Sequence, residues 1–197
     1  MNRIDQALAR ARGEKRAALI VFVTAGDPDL ATTAELIPEL AAAGADVIEL
    51  GIPHSDPIGE GPTIQVSSQR ALAKRTSLSQ ILDLVRSVRA VSDVPLVLMG
   101  YLNNVLAYGE ERLARDAAAS GADGLIVSDV PFEETAILSR ACAEHGVQRD
   151  GCRRWMMRND ISCQIERRAV DREDYGCLVG LVADDGVALE QWRRVIA

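Results

Sequence analysis

Cysteine is absent from the chain before Cys142, and histidine occurs only twice, as His54 and His145. The cysteines, which form no Cys-x-x-Cys pair, are Cys142, Cys152, Cys163 and Cys177. Protein zinc sites are built from closely spaced cysteine and histidine ligands. The sequence therefore gives little support for a metal site, and in a reducing compartment we expect four free thiols.

Long apolar runs are also absent, since no stretch reaches the roughly 20 apolar residues that a membrane-spanning helix needs. The first six residues, Met-Asn-Arg-Ile-Asp-Gln, lack the apolar core of a signal peptide. Basic residues are outnumbered, with 22 Lys and Arg against 29 Asp and Glu, and the net charge is -7. These features argue against nucleic acid or an anionic membrane as a partner and favour a cytoplasmic location.

Apolar runs without polar alternation recur between segments with helical periodicity, in a chain whose 197 residues suggest one domain. The predicted strands are 19–23, 47–50, 94–99 and 124–127. The predicted helices are 3–16, 29–43, 64–73, 78–90, 110–120 and 133–145. Buried strands that alternate with helices predict an α/β fold with a parallel sheet. Four such units could form a doubly wound sheet or half of a closed barrel.

The segment 49–62 combines the end of a predicted strand with a loop rich in Gly and Pro. It carries three acids, Glu49, Asp56 and Glu60. A carboxylate at the end of a buried strand loses hydration, which raises its pKa and suits it to proton transfer near neutral pH. The alternative is structural, because Glu49 could instead cap a helix or pair with an arginine.

Four segments resemble the signature of the tryptophan synthase α-subunit family. The longest reads Glu49-Leu-Gly-Ile-Pro-x-Ser-Asp-Pro-x-x-x-Gly-Pro-Thr-Ile-Gln. The others are Phe22-Val-Thr-Ala-Gly-Asp-Pro28, Leu98-Met-Gly-Tyr-Leu-Asn103 and Gly124-Leu-Ile-Val-Ser-Asp-Val-Pro131. The resemblance covers roughly residues 4–146, and it implies the (β/α)8 TIM-barrel fold, of which this chain holds about the first four β/α units.

The resemblance also implies an activity and the residues that carry it. The family is a lyase of tryptophan biosynthesis that cleaves indole-3-glycerol phosphate to indole and glyceraldehyde 3-phosphate, without a cofactor of its own. By resemblance, Glu49 is the catalytic acid and base, and Glu60 stands where the family has an aspartate that faces the indole nitrogen. The positions implied for substrate binding are Phe22, Tyr101 and Asp129. His54 stands where the family usually has phenylalanine.

A protein partner is implied as well. The family's α-subunit docks on a β-subunit, which holds pyridoxal phosphate, in an α2β2 heterotetramer. The positions on the docking face are, by resemblance, Pro53, Asp56, Asn103 and Pro131. The alternative function is therefore a non-catalytic binding partner or regulator of a β-subunit.

The resemblance stops after Gly146. Residues 147–197 hold nine of the 22 basic residues, three of the four cysteines and both tryptophans. A strand is predicted within 177–183 and a helix within 187–196, but no family motif is found there. We therefore expect a half barrel at 1–146 and an atypical tail at 147–197. The tail is either the product of a shifted reading frame or a divergent extension, and neither supplies the loops that bind phosphate in complete barrels.

Overall fold

The computed structural model describes residues 2–57, 59–130, 136–147 and 178–179. Its strands are β1 (Leu19–Thr24), β2 (Val47–Gly51), β3 (Leu96–Gly100), β4 (Gly124–Val127) and β5 (Leu178–Val179). Its helices are α1 (Arg3–Gly13), α2 (Leu30–Ala42), α3 (Pro62–Ala73), α4 (Leu78–Arg89), α5 (Leu102–Tyr108), α6 (Glu110–Ser120) and α7 (Ala136–Glu144). Within this part of the chain, no helix is both long and apolar enough to cross a bilayer.

The alternation predicted from the sequence is confirmed, with one addition. Each of the four predicted strands and six predicted helices has a counterpart, within a few residues at either end. Helix α5 was not predicted, because its seven residues are separated from α6 by Gly109 alone and show too few turns for a periodicity. The predicted helix at 187–196 lies outside the described residues, as does the start of the one at 133–145.

All five strands form one sheet in the order β4-β3-β2-β1-β5, and every neighbouring pair is parallel. The predicted parallel sheet is therefore confirmed. The strand predicted within 177–183 is present as β5, whose two residues pair with Leu19 and Ile20 of β1. The edge of β1 is consequently covered by a segment of the tail, whereas four strands alone would have left it open. Strand β4 has β3 as its strand neighbour among the described residues.

The two faces of the sheet differ in what covers them. One face carries Ile48, Leu50, Leu96 and Leu98, each fully buried in the cluster formed with the surrounding helices. Complete burial of such a side chain contributes roughly 1.5–3 kcal/mol. These apolar contacts fix the sheet against the helical layer.

The opposite face is covered only in part by the described elements. At the amino ends of β1, β2 and β3, this face carries Ile20, Val47 and Val97, which pack against Ile4 of α1. Helix α1 therefore closes one end of the sheet. Further along the strands, the same face presents Glu49, which is aligned with Phe22 of β1 and Val97 of β3. This is the face on which polar groups gather at the carboxyl ends of the strands.

A repeated tripeptide fixes the register of the strand pairs. Gly44-Ala-Asp46 precedes β2, and Gly121-Ala-Asp123 precedes β4. Both glycines have a positive φ, 110° and 90°, which favours glycine where a helix turns back into a strand. The backbone N–H groups of Asp46 and Asp123 donate to the carbonyls of Leu19 and Leu96, each over 2.8 Å.

The same two aspartates also accept hydrogen bonds through their carboxylates. Asp46 accepts the N–H of Leu19, and Asp123 accepts the N–H of Leu96, each over 2.9 Å. Both aspartates therefore close a ring of two hydrogen bonds with the first residue of the preceding strand. The repeated tripeptide thus makes the same contact twice, at the amino ends of the β1–β2 pair and of the β3–β4 pair.

Arginine side chains form ion pairs with both aspartates. Arg16 donates to the carboxylate of Asp46 over 2.9 Å, and Arg89 and Arg3 form ion pairs with Asp123. Desolvation of the nearly buried Asp46 carboxylate raises its pKa, but the hydrogen bonds from Arg16 and from the Leu19 N–H outweigh it and leave the pKa below its ordinary value. The charged form of Asp46 therefore stabilises the fold.

Replacing Asp46 by Asn should lower the free energy of unfolding by about 2 kcal/mol at neutral pH, because the charge-assisted hydrogen bonds to Arg16 are lost. Urea unfolding of the two proteins measures the difference. The matched control is Asp83→Asn, since the Asp83 side chain is 71% exposed in its ion pair with Arg86. That change should stay within about 0.5 kcal/mol of wild type. Equal stability of the two variants would contradict the role assigned to Asp46.

Candidate active site

A cavity opens at the carboxyl ends of β1, β2 and β3. Strand residues and the segments that follow them line it, among them Phe22, Thr24, Gly51, Met99, Gly100, His54, Glu60, Tyr101 and Ser128. The carboxyl ends of parallel strands are where active sites of open sheets and barrels lie. The sequence signature 49–62 crosses this cavity as the end of β2 and the loop that leads to α3.

Glu49 is a buried acid beside this cavity, next to Phe22 in register, and it is not among the residues that line the cavity. Its side chain lies on the inner face of β2, and the residue is 6% exposed. Within residues 2–57, 59–130 and 136–147, no hydrogen bond or ion pair reaches its carboxyl. Desolvation, assisted by the nearby charge of Glu60, raises the pKa of Glu49 to about 7. The described structure therefore has neither the helix cap nor the arginine partner that the sequence left open as an alternative.

Glu60 is the second acid, and it lies half-buried in the loop after β2. Desolvation raises its pKa, while a hydrogen bond from the Tyr101 hydroxyl acts in the opposite direction. The same hydroxyl accepts the N–H of Gly59 over 3.3 Å. The loop backbone is further held by Gln65, whose side chain donates to the Glu60 carbonyl over 2.9 Å. Tyr101, the residue that follows β3, thus limits where the Glu60 side chain can lie.

The aromatic ring of Phe22 depends on a glycine in the next strand. Phe22 is 8% exposed and lines the cavity from β1. A Cβ atom at Gly51 would lie 2.4 Å from Cζ of Phe22, which is closer than any real contact. The absence of a side chain at Gly51 therefore allows the ring to lie over β2, next to Glu49 in register.

Hydroxyl groups that the sequence analysis did not select also meet here. Thr24 and Ser67 are buried and their side-chain oxygens lie 2.7 Å apart. Ser67 donates to the carbonyl of Ile64 over 2.9 Å, so Thr24 is the donor in its contact with Ser67. This contact ties α3 to the end of β1, and Ser68 lines the cavity beside it. Serines within a helix carry no sequence signal for such a role, because most hydroxyls of this kind only bond their own backbone.

The remaining residues singled out in the sequence lie around the cavity. Asp129 is exposed, accepts the N–H of Leu102 over 2.7 Å, and contributes to the raised pKa of Tyr101, for which desolvation is the main cause. It is not among the residues that line the cavity. Asp129 therefore contacts the amino end of α5, next to the cavity.

Three of the four positions expected on a docking face lie within the described residues. Asp56 and Asn103 are exposed, on the loop after β2 and on α5, at the same end of the sheet as the cavity. Pro53 is buried within its own loop. Pro131 lies outside the described residues.

The arrangement suits proton transfer by carboxyl groups. A carboxyl with a pKa of about 7 can donate and accept a proton near neutral pH. A second carboxyl, held by Tyr101, can stabilise positive charge on a bound molecule. Among the described residues, no group of three His, Cys, Asp or Glu side chains could hold a metal ion.

Comparisons with known proteins agree with this geometry. The family model described as tryptophan synthase alpha chain matches residues 8–149. The tryptophan synthase alpha chain of Geobacter sulfurreducens is 55% identical over 148 residues, which cover 75% of this chain and 56% of the relative. That of Pelobacter propionicus is 57% identical over 134 residues, which cover 68% of this chain and 50% of the relative. This chain thus spans about half the length of the curated relatives it matches.

The likeness extends to the fold. The crystal structure of tryptophan synthase subunit alpha from Legionella pneumophila matches with a TM-score of 0.72 and 43% identity, over 75% of this chain and 56% of that one. Tryptophan synthase from Mycobacterium tuberculosis matches with a TM-score of 0.70 and 34% identity. The expected membership of the TIM-barrel class is confirmed, and the described residues form part of such a barrel.

Replacing Glu49 by Gln should raise the free energy of unfolding by up to about 3 kcal/mol above pH 7. The pKa of Glu49 in the folded protein is about 7, above the ordinary value of 4.5. Between these pH values the folded protein therefore keeps Glu49 protonated, whereas the unfolded chain does not. The wild type therefore loses stability as pH rises from 4.5 to about 7, whereas a neutral amide does not. Urea unfolding at a series of pH values measures this difference, which should vanish near pH 4.

The control is Glu35→Gln, which changes an exposed acid of α2. Its stability should follow that of the wild type at every pH, within about 0.5 kcal/mol. A Glu49→Gln protein that is no more stable than the wild type near pH 8 would show that the Glu49 carboxylate is not desolvated.

Proposed function

The chain belongs to the tryptophan synthase alpha chain family, and on this basis we propose that it is an α-subunit-like lyase acting on indole-3-glycerol phosphate. The proposed reaction is a retro-aldol cleavage that yields indole and glyceraldehyde 3-phosphate. The observation that carries this proposal is Glu49, a buried carboxyl with no hydrogen-bond partner among the described residues and a pKa of about 7.

Glu49 supplies the proton transfers of this cleavage. Its carboxyl donates a proton to the indole ring carbon that bears the glycerol chain. Removal of the proton from the adjacent hydroxyl of that chain lets the carbon–carbon bond break, with formation of the aldehyde. A group with a pKa near the working pH serves best in both directions, because it is present in both protonation states.

Glu60 supplies charge stabilisation. Protonation of the ring carbon places positive charge on the indole nitrogen, and a carboxylate beside the N–H lowers the energy of that state. Tyr101 donates a hydrogen bond to Glu60 and so limits where its carboxylate can lie. Phe22 and Tyr101, which line the cavity, are proposed to contact the indole ring, with Asp129 beside them.

We propose the β-subunit of tryptophan synthase as the partner and the cytoplasm as the location. Asp56 and Asn103 are exposed on segments that follow β2 and β3, and Pro53 is buried in the same loop as Asp56. Pro131 completes the expected docking set and lies outside the described residues. Released indole would pass to that partner, which would hold the pyridoxal phosphate. The α-like chain itself uses carboxyl groups for its chemistry and would need no cofactor.

The chain is proposed to consist of a half barrel at 1–146 and a tail at 147–197. The family match ends at residue 149, and the composition changes at the same point. The tail contributes β5, which pairs with β1. Translation of the gene in its other two frames after codon 146 tests the origin of the tail. A resumed strand and helix rhythm there would identify a shifted frame.

Glu49→Gln should lower the rate of indole release from indole-3-glycerol phosphate by a factor of about 100 to 10,000, because general acid–base catalysis is lost while the fold is kept. Glu60→Gln should lower it by about 100-fold through loss of charge stabilisation. Indole absorbance or fluorescence follows the reaction, and circular dichroism checks the fold. Glu35→Gln is the matched control and should keep the wild-type rate.

Two results would contradict the proposal. Unchanged indole release by Glu49→Gln would remove Glu49 from the chemistry. Absence of indole release from the wild-type chain, together with a changed turnover of an added β-subunit, would instead identify a non-catalytic regulator.

A further inference from the structure

His54 touches the loop after β2 at two points. Its Nδ1 atom accepts the backbone N–H of Asp56 over 3.0 Å. Its ring packs against that of Tyr101, with centroids 4.7 Å apart and planes inclined by 42°. The imidazole therefore lies between the start of the loop and the end of β3, inside the lining of the cavity.

Tyr101 extends this contact to the end of the loop. Its hydroxyl accepts the N–H of Gly59 over 3.3 Å and donates to the carboxylate of Glu60. The chain of contacts runs from Asp56 through His54 and Tyr101 to Glu60. His54 thus contacts the start of the loop directly, and it contacts the end of the loop through Tyr101.

The hydrogen bond from Asp56 determines which nitrogen of a neutral His54 ring carries the proton. A backbone N–H can only donate, so Nδ1 must carry a lone pair, and the proton of the neutral imidazole lies on Nε2. Protonation on Nδ1 would place two donors face to face and break this bond. Histidine is the side chain that normally changes charge between about pH 5 and 8.

Several ionisable groups surround the imidazole. Asp56 and Glu60 belong to the same loop, Tyr101 follows β3, and Glu49 lies on β2 below the loop. The exposed Asp129 is close enough to Tyr101 to contribute to the raised pKa of the tyrosine, for which desolvation is the main cause. A protonated His54 would be attracted by the side-chain carboxylates of Asp56 and Glu60. The ring would then leave the position in which Nδ1 accepts the backbone N–H of Asp56 and the imidazole packs on Tyr101.

We propose that His54 is a positioning residue, whose neutral imidazole holds the loop carrying Glu60 in its working geometry and whose protonation on Nδ1 releases that loop. The proposal rests on the proposed function for its catalytic consequence, but the link between His54 and the loop does not depend on it. A displacement of about 1 Å at a catalytic group can cost on the order of 100-fold in rate. Release of the loop should therefore suppress the reaction at acid pH.

Nitrogen–proton NMR spectra of the full chain, recorded between about pH 5 and 8, test the link without any need for activity. The amide signals of Asp56 and Gly59 should shift with the same midpoint as the ring protons of His54. Because the titration of Glu60 could also move Gly59, the spectra are repeated on Glu60→Gln, in which both amides should still follow His54. Separate midpoints for His54 and the Asp56 amide in the wild type would overturn the proposal.

Two substitutions separate the functions of the ring. His54→Phe keeps an aromatic contact for Tyr101 but removes the acceptor and the titration, so neither amide should show the transition. His54→Asn keeps an acceptor near the Nδ1 position without a charge change, so the Asp56 amide should stay near its neutral-pH shift throughout. The control is His145→Asn, an exposed histidine after α7 at the other end of the sheet, which should leave both transitions intact. Persistence of both transitions in His54→Phe would also overturn the proposal.

The pH profile of indole release supplies the catalytic readout. The wild type should lose about 10-fold more activity between pH 7.5 and 5.5 than His54→Phe does, because the neutral fraction of an ordinary imidazole falls about 10-fold over this range and only the wild type releases the loop. The titration of Glu49 affects both proteins and cancels in the ratio. Equal acid losses would overturn the catalytic consequence. A chain that releases no indole but shows the joint amide transition would refute the proposed function and leave the His54 link supported.

Discussion

Two buried aspartates hold the strands of this protein in register. Asp46 and Asp123 each close a pair of hydrogen bonds with the first residue of the preceding strand, and each is neutralised by arginine. Because side chains in a strand alternate between faces, a slip of one residue would exchange the helix-packed side chains with those of the inner face. The register set at the amino ends therefore decides that Glu49 aligns with Phe22 on the inner face at the other end.

The chemistry of the site follows from what surrounds that acid. Helix α1 closes the inner face at the amino ends of the strands, and Glu49 lies beyond the apolar layer formed there, with 6% of its surface exposed. A carboxyl placed there without a counter-ion destabilises the folded chain whenever it is ionised. The same desolvation brings its pKa to about 7, so the property that weakens the fold is the property that suits proton transfer.

The second acid is held in a different manner. Glu60 lies on a loop, and a loop keeps a catalytic group in place only when other elements fix it. Tyr101 does so from the end of β3, and His54 packs on the tyrosine ring while it accepts the N–H of Asp56. Rigid strands therefore position one carboxyl, while a network of side chains from two strand ends positions the other.

The sequence by itself determined the α/β alternation, the parallel sheet and the family, because apolar runs, helical periodicity and a long fixed-spacing motif are local features of the chain. It also selected Glu49, Glu60 and Tyr101. Only the tertiary structure decided that Glu49 lacks a partner within the described residues, that Asp129 contacts α5, and that Thr24 meets Ser67. It likewise showed that β5 pairs with β1 across more than 150 residues of sequence. These outcomes depend on which groups meet in space after packing, and no local pattern of residues records that.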